Sequence, residues 1–222
     1  MKSRIVDYTV TSDAAMPSVI TCGEFSTPVW IQNNWTNGEY ARFIQNNGCG
    51  HCCTAMALNL HGVKIDPHEE FTLCRELWGK PRIGKPFYED NFMSASGITK
   101  ILRHFGIDSE CFGVPVGKCD ESAALIENAL ILGKSVILWS HPSEKNMSNP
   151  FSPGEHYVYL VGLYKDGRIL VANSSLRGNA KNGIQFTDRD VISSVLMEGC
   201  SPRDYTWGRY DLEHSGGYIV IE

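Results

Sequence analysis

The stretch QNNGCGHCCTAMALNLHG, residues 45–62, places Cys49, Cys52 and Cys53 within five positions, at the threshold of a run that reads as a helix. Three chemistries compete for that pattern. Cys49 and Cys52 form a C-x-x-C, as thiol oxidoreductases do. That chemistry wants the pair at the end of a buried strand in an alternating fold, and the upstream EYARFIQNN is too polar for a core strand. A zinc site wants a second ligand pair, and the chain has neither another C-x-x-C nor an H-x-x-x-H. Cys52 and Cys53 also point about 100° apart on a helix, so at most one of them joins Cys49. The third chemistry is a nucleophilic thiol. The unpaired N–H groups and positive dipole end of a helix N-terminus favour thiolate over thiol at Cys49.

A cysteine nucleophile needs a base and a group that orients the base. Of the seven histidines, His61 and His104 fall near helix C-termini, His68 lies in a first turn, and His51 follows Cys49 too closely to face it easily. His141 and His156 remain, and His156 is favoured. It opens the strand-like run HYVYLVGLY directly after a long loop, where a side chain is held rigidly at the mouth of a cleft. The next run ends in Asn173, and KDG between the two runs marks a tight turn. An antiparallel hairpin over residues 156–173 then returns Asn173 beside His156, where an amide can hold the imidazole tautomer. Asn173 also suits the start of a turn at NSS.

These residues need elements to hold them. Small and apolar residues from Cys52 to Leu60 predict a helix buried on most faces, starting at Cys49 or Gly50 and stopping at His61-Gly62. Further helices are expected at PHEEFTLCRELW with Pro67 in the first turn, at SGITKILRHFG ending on Gly106, and at DESAALIENALILG, capped by Asp120 and ended by Gly133. Residues 29–47, rich in Asn, Gly and aromatics, read as a structured loop. After Gly133 the period changes: SVILWS, HYVYLVGLY, RILVAN and GGYIVIE are short β-branched and aromatic runs. Helices followed by strands predict an α+β fold. The expected organisation is one domain over 1–222, with an extended N-terminal arm (1–28), a mainly helical lobe (29–133) and a mainly strand lobe (134–222).

Composition narrows the partners. The chain has 222 residues, 42% hydrophobic and 20% charged, with a net charge of −5 and a pI near 5.8. No Lys/Arg cluster offers a footprint for nucleic acid, and no window has the apolar length of a membrane span. The eight cysteines lack the dense spacing of a disulfide scaffold, and most are expected as free thiols, with Cys74 buried in its helix. The first residues lack an apolar h-region, so the chain as written is expected in the cytoplasm, a removed leader being the alternative.

Together, VWIQNNW, NNGCGHCCTAMALNLHG and GEHYVYLVGLYKDGRILVANSS, spread in order over residues 29–175, resemble the papain-like cysteine peptidases of the bacteriocin-processing, double-glycine-cleaving (C39-like) branch, which is bacterial. The resemblance implies a papain-like fold, a helical lobe packed on an antiparallel sheet. It also implies Cys49 as nucleophile, His156 as acid and base, Asn173 as orienting residue, and Gln32 as oxyanion-hole side chain beside the Cys49 N–H. Gln45 competes with Gln32 for that last role. Related sequences often carry Pro at the position of His51, here read as helix-filling, and more often Asp at that of Asn173. The implied activity is thiol-dependent hydrolysis of a peptide or protein substrate, with no cofactor and no metal. The same constellation also serves an acyltransferase, a transglutaminase-like enzyme or a cell-wall amidase, and the fold can be kept by a non-catalytic binding module. The loop from Pro142 to Glu155, which delivers His156, is a candidate substrate-facing segment.

Overall fold

Period-two alternation in the apolar runs of the second half carries side chains to both faces of a sheet, and both faces are covered. A computed structural model describes residues 8–11, 18–36, 40–78, 94–142, 149–175, 182–199 and 217–222. Among them is a six-stranded sheet in the order β4 (Ser109–Phe112), β9 (Tyr218–Ile221), β5 (Ser135–Ser140), β6 (His156–Leu163), β7 (Ile169–Ala172), β8 (Ile184–Thr187), every neighbouring pair antiparallel. Ile137, Tyr157, Tyr159, Val161, Leu170, Ala172 and Ile219 enter one core, and Val136, Leu138, Val158, Leu160 and Val171 enter a second on the opposite face.

The first core is capped by α2 (Cys49–Leu60), α3 (Pro67–Trp78) and α4 (Ala95–His104). Every residue of α2 is buried, as its nearly uniform small and apolar composition requires, and the helix lies directly on β6. The expected bounds of α2 and α3 are observed, and Gly62, Gly106 and Gly133 take positive φ just past their helices. The second core is covered by α5 (Cys119–Ile131) and α6 (Arg189–Val195). The α+β class and the helical layer on an antiparallel sheet are thus as expected. α5 belongs to the helical half of the sequence but packs behind the sheet.

Several local expectations are corrected. Residues 29–47 are not loop throughout: Gln32–Asn34 form a 3₁₀ turn and Ala41–Asn47 form α1. Phe43 and Ile44 supply the buried contacts that an Asn-rich segment conceals. β4, β8 and α6 are too short to announce themselves by period. Asp120 does not cap α5; the cap is Lys118, and the Asp120 carboxylate accepts a hydrogen bond from Ser193 Oγ of α6. The arm is partly organised, because β1 (Tyr8–Thr11), β2 (Val19–Cys22) and β3 (Phe25–Pro28) form an antiparallel sheet with β3 against α2. No helix among the described residues is long and apolar enough to cross a membrane.

Candidate active site

Cys49 is the first residue of α2, reached from α1 through the single residue Gly48. A Cβ at Gly48 would lie 2.5 Å from the Ile44 carbonyl oxygen and 2.7 Å from its Cα, so only glycine lets the two helices meet this tightly. Cys49 is 8% exposed. Burial pushes its thiol up, and the backbone N–H groups of Tyr157, Gly50 and Cys49 itself pull the other way by favouring the thiolate. The Glu155 carboxylate adds to the upward push. The Tyr157 N–H brings the start of β6 to the sulfur, and the preceding residue is His156.

His156 is 3% exposed and is clamped through its own backbone: it pairs with Ser140 of β5, whose Oγ donates to the His156 carbonyl at 2.8 Å. Its Nε2 donates to Asn173 Oδ1 at 2.9 Å, which puts the ring proton on Nε2 and leaves Nδ1 as the basic nitrogen. Burial pulls the imidazole down to about 4, against the opposing effect of the Asn173 bond. Burial thus acts against the charged form of both the thiol and the imidazole.

The antiparallel hairpin puts Asn173 where the sequence predicts, just beyond β7, and its amide orientation is over-determined. Oδ1 also accepts from Ser175 N–H at 2.8 Å, while Nδ2 donates to the Phe151 carbonyl at 2.9 Å and to Gln185 Oε1 at 2.8 Å. An N–H can only donate and a carbonyl can only accept, so the amide has one orientation. Gln185 is fixed in turn by donating to the Pro150 carbonyl at 2.9 Å. The Asn173 N–H bonds the Gly183 carbonyl at 2.7 Å; Gly183 has φ +80, and a Cβ there would come within 2.4 Å of Val29 Cγ1 and 2.9 Å of the Asn173 carbonyl oxygen.

Gln32 lies at the start of the 3₁₀ turn, 8% exposed, on the same framework. Its N–H donates to the Ser174 carbonyl at 2.9 Å, its Oε1 accepts from Ser174 Oγ at 3.3 Å, and its Nε2 makes a long 3.3 Å bond to the Gln45 carbonyl. The competing Gln45 spends its own amide N–H on the Trp35 carbonyl at 2.6 Å. Of the two side-chain amides, that of Gln32 makes the longer hydrogen bond. Cys49, His156, Asn173 and Gln32 all join one set of elements: the α1–α2 junction, the 3₁₀ turn and the open ends of β6 and β7.

Of the loop Pro142–Glu155, residues 143–148 lie outside the described residues. Its described end, 149–155, supports the site, with Asn149 donating to Ser140 Oγ at 3.1 Å and Phe151 buried under Asn173. His141 pairs with Glu155 at 3.3 Å. Ser140, Gln185 and Gly183 escaped the sequence reading, because nothing local distinguishes a buried Ser or Gln that supports a distant amide.

His51 departs from the helix-filling expectation. It is 1% exposed, its Nδ1 pairs with the fully buried Glu70 carboxylate of α3, and Cys74 Sγ donates to the other Glu70 oxygen at 3.3 Å. These three side chains offer metal-ligand atoms within 4.8 Å of one another, but those atoms already satisfy each other by hydrogen bonding. The cysteines resolved among the described residues are free thiols.

No curated protein sequence matches this chain. Among solved structures, it is similar to the crystal structure of the peptidase domain of Streptococcus ComA, a bi-functional ABC transporter involved in a quorum sensing pathway, at 10% identity and a TM-score of 0.43, over 79% of this chain and 91% of that one. The model of the Peptidase C39 like family matches residues 27–191, about three-quarters of the 222-residue chain and all four residues above. On that match, the chain belongs to the Peptidase C39 like family.

Proposed function

We propose that the protein is a cysteine peptidase that cleaves amide bonds of a peptide or protein through a thioester on Cys49. The observation that carries this reading is the polarity of the hydrogen-bond chain at His156: Asn173 takes the Nε2 proton and leaves Nδ1 as a base, while the N–H of the next residue, Tyr157, reaches the Cys49 thiol at a helix N-terminus. Because burial favours the neutral pair, the thiol proton passes to Nδ1 as Sγ attacks the carbonyl carbon, not beforehand. The oxyanion is received by the Cys49 N–H and Gln32 Nε2, such donors being worth about 3 kcal/mol each. His156 returns the proton to the leaving amine, then activates the water that hydrolyses the thioester. The family supports the peptidase class, and the site requires no cofactor for these steps.

The test is cleavage of a mixed peptide pool, read by mass spectrometry, with wild-type protein, Cys49→Ala and His156→Ala. Wild-type protein should cut, and each variant should lose at least about 10³-fold in rate. A pool left intact by folded wild-type protein, or cut equally by Cys49→Ala, overturns the peptidase reading. Transfer of an acyl group to an added amine in place of hydrolysis would move the assignment to the acyltransferase.

A further inference from the structure

The hydrolytic chemistry uses Cys49 and leaves the rest of the C-x-x-C idle. Cys52 is fully buried, three residues further along α2. Residues i and i+3 of an α-helix have Cα atoms about 5 Å apart, inside the span of about 4.4 to 6.8 Å that a disulfide bridges. Their Cβ atoms stand about 5 to 6 Å apart in a regular helix, wider than a disulfide takes, so one end must move. Cys49 can move: it is the first helical residue, it sits between two glycines, and its own N–H carries no intrahelical bond. Cys53, at i+4, is about 6 Å away by the same helix geometry, and a link to it would span the hydrogen bond that closes the first full turn.

We infer that Cys49 is a site of reversible oxidation by a hydroperoxide, with Cys52 as the resolving thiol that traps it as an intrahelical disulfide. The inference rests on the reading of Cys49 as an activated thiol. Cys49 sulfur attacks the terminal oxygen of the hydroperoxide as its thiol proton passes to His156. The O–O bond breaks, Cys49 becomes a sulfenic acid, and the alkoxide leaves as an alcohol with the proton His156 has taken up. Cys52 sulfur then attacks Cys49 sulfur. The S–O bond breaks, the S–S bond forms, and the departing hydroxide takes the Cys52 proton as water. Two thiols and one hydroperoxide thus give one disulfide, one alcohol and one water.

Burial makes this division of labour selective. Cys52 is pushed well up by desolvation and is out of reach of reagents, so its partner is the sulfur already beside it. The disulfide blocks the nucleophile, and a dithiol restores it. Without Cys52, the sulfenic acid proceeds to the irreversible sulfinic and sulfonic acids.

The experiment treats the reduced full chain with hydrogen peroxide, blocks free thiols with N-ethylmaleimide, and maps cysteines by mass spectrometry with and without dithiothreitol. Wild-type protein should give a peptide two hydrogens lighter linking Cys49 to Cys52, and dithiothreitol should restore nearly all Cys49 labelling. Cys52→Ser should give no link and Cys49 sulfinic or sulfonic acid that dithiothreitol does not reverse, while Cys53→Ser should behave as wild type. Because the wild-type link is read directly, failure of Cys52→Ser to fold does not remove the test. A Cys49 that goes straight to sulfinic acid in wild-type protein, or links to Cys53, overturns the inference. Peptide cleavage by the reduced protein separates the two readings. Cleavage that is lost in Cys49→Ala and His156→Ala, with no link from Cys49 to Cys52 in the peroxide-treated wild type, sinks the disulfide and keeps the peptidase. No cleavage and no oxidation of Cys49 sinks both.

Discussion

Two buried histidines flank Cys49, and they differ in what holds them. His156 gives its Nε2 proton to an amide, and its Nδ1 is left as a base at the open end of β6. His51 meets a carboxylate, Glu70, through Nδ1, and its Nε2 has no hydrogen-bond partner among the described residues. The rings of Phe43 and Phe71 meet the His51 imidazole in T-shaped contacts, with centroids 5.9 and 4.9 Å away. By partner charge alone, His51–Glu70 would pass for a catalytic pair. What separates the two is their surroundings: the start of β6, where the Tyr157 N–H reaches the Cys49 sulfur, in one case, and an apolar helix interface in the other. His51 joins α2 to α3, and His156 is held by Asn173 at the start of β6.

The comparison breaks most readily at Glu70. Glu70→Ala strips both His51 and Cys74 of their acceptor inside the helical layer, and the expected loss is about 3–5 kcal/mol in denaturant-induced unfolding. Replacing His51 and Glu70 together by leucines should recover much of that loss, because the only group then left without its acceptor is the Cys74 thiol, a weak donor. The peptidase rate per folded molecule should change far less than in His156→Ala. A Glu70→Ala protein of wild-type stability would mean the pair does not tie the helices.

His156 offers the next effect, through pH. Its folded value of about 4 lies below the ordinary 6.5, so the unfolded chain takes up the proton first as pH falls. Stability from keeping His156 neutral is fully present above about 6.5 and is lost as pH falls through about 4, to a total of about 3 kcal/mol. Comparing the stability of wild type and His156→Gln from pH 7 to 4 isolates that share, since glutamine does not titrate. Parallel curves would show that His156 is not held neutral by burial.

The smallest expected effect sharpens the amide–carboxylate contrast. Asn173→Asp replaces the Nδ2 donor by an oxygen facing the Phe151 carbonyl and Gln185 Oε1. The expected cost is about 1–3 kcal/mol of stability, with partial recovery in Asn173→Asp combined with Gln185→Leu. An Asp variant as stable as wild type would mean that the framework does not select the amide. Where related sequences carry Asp, a different set of neighbours is therefore expected around it.

Much of the site was legible because its signals are local. A cysteine before a uniformly apolar run, Pro67 at a helix start, and two β-branched runs joined by KDG each encode an element through propensity and period. The features that escaped are long-range. α1 hides in an Asn-rich segment and is held by Phe43 and Ile44 in the common core. Gln185 matters through an amide twelve residues earlier, and Glu70 through a histidine nineteen residues earlier.

By itself the sequence determined the α+β class, the helix that begins at Cys49, the hairpin from His156 to Asn173, and so the four residues that could share a site. Tertiary structure decided which ring nitrogen of His156 is free, which way the Asn173 amide faces, that the Gln32 amide makes a longer hydrogen bond than that of Gln45, and that His51 belongs to a helix interface. The physical reason is that periodicity and propensity act over a few neighbours. The direction of a buried hydrogen bond is set by every donor and acceptor that packing brings to it, and those come from anywhere in the chain.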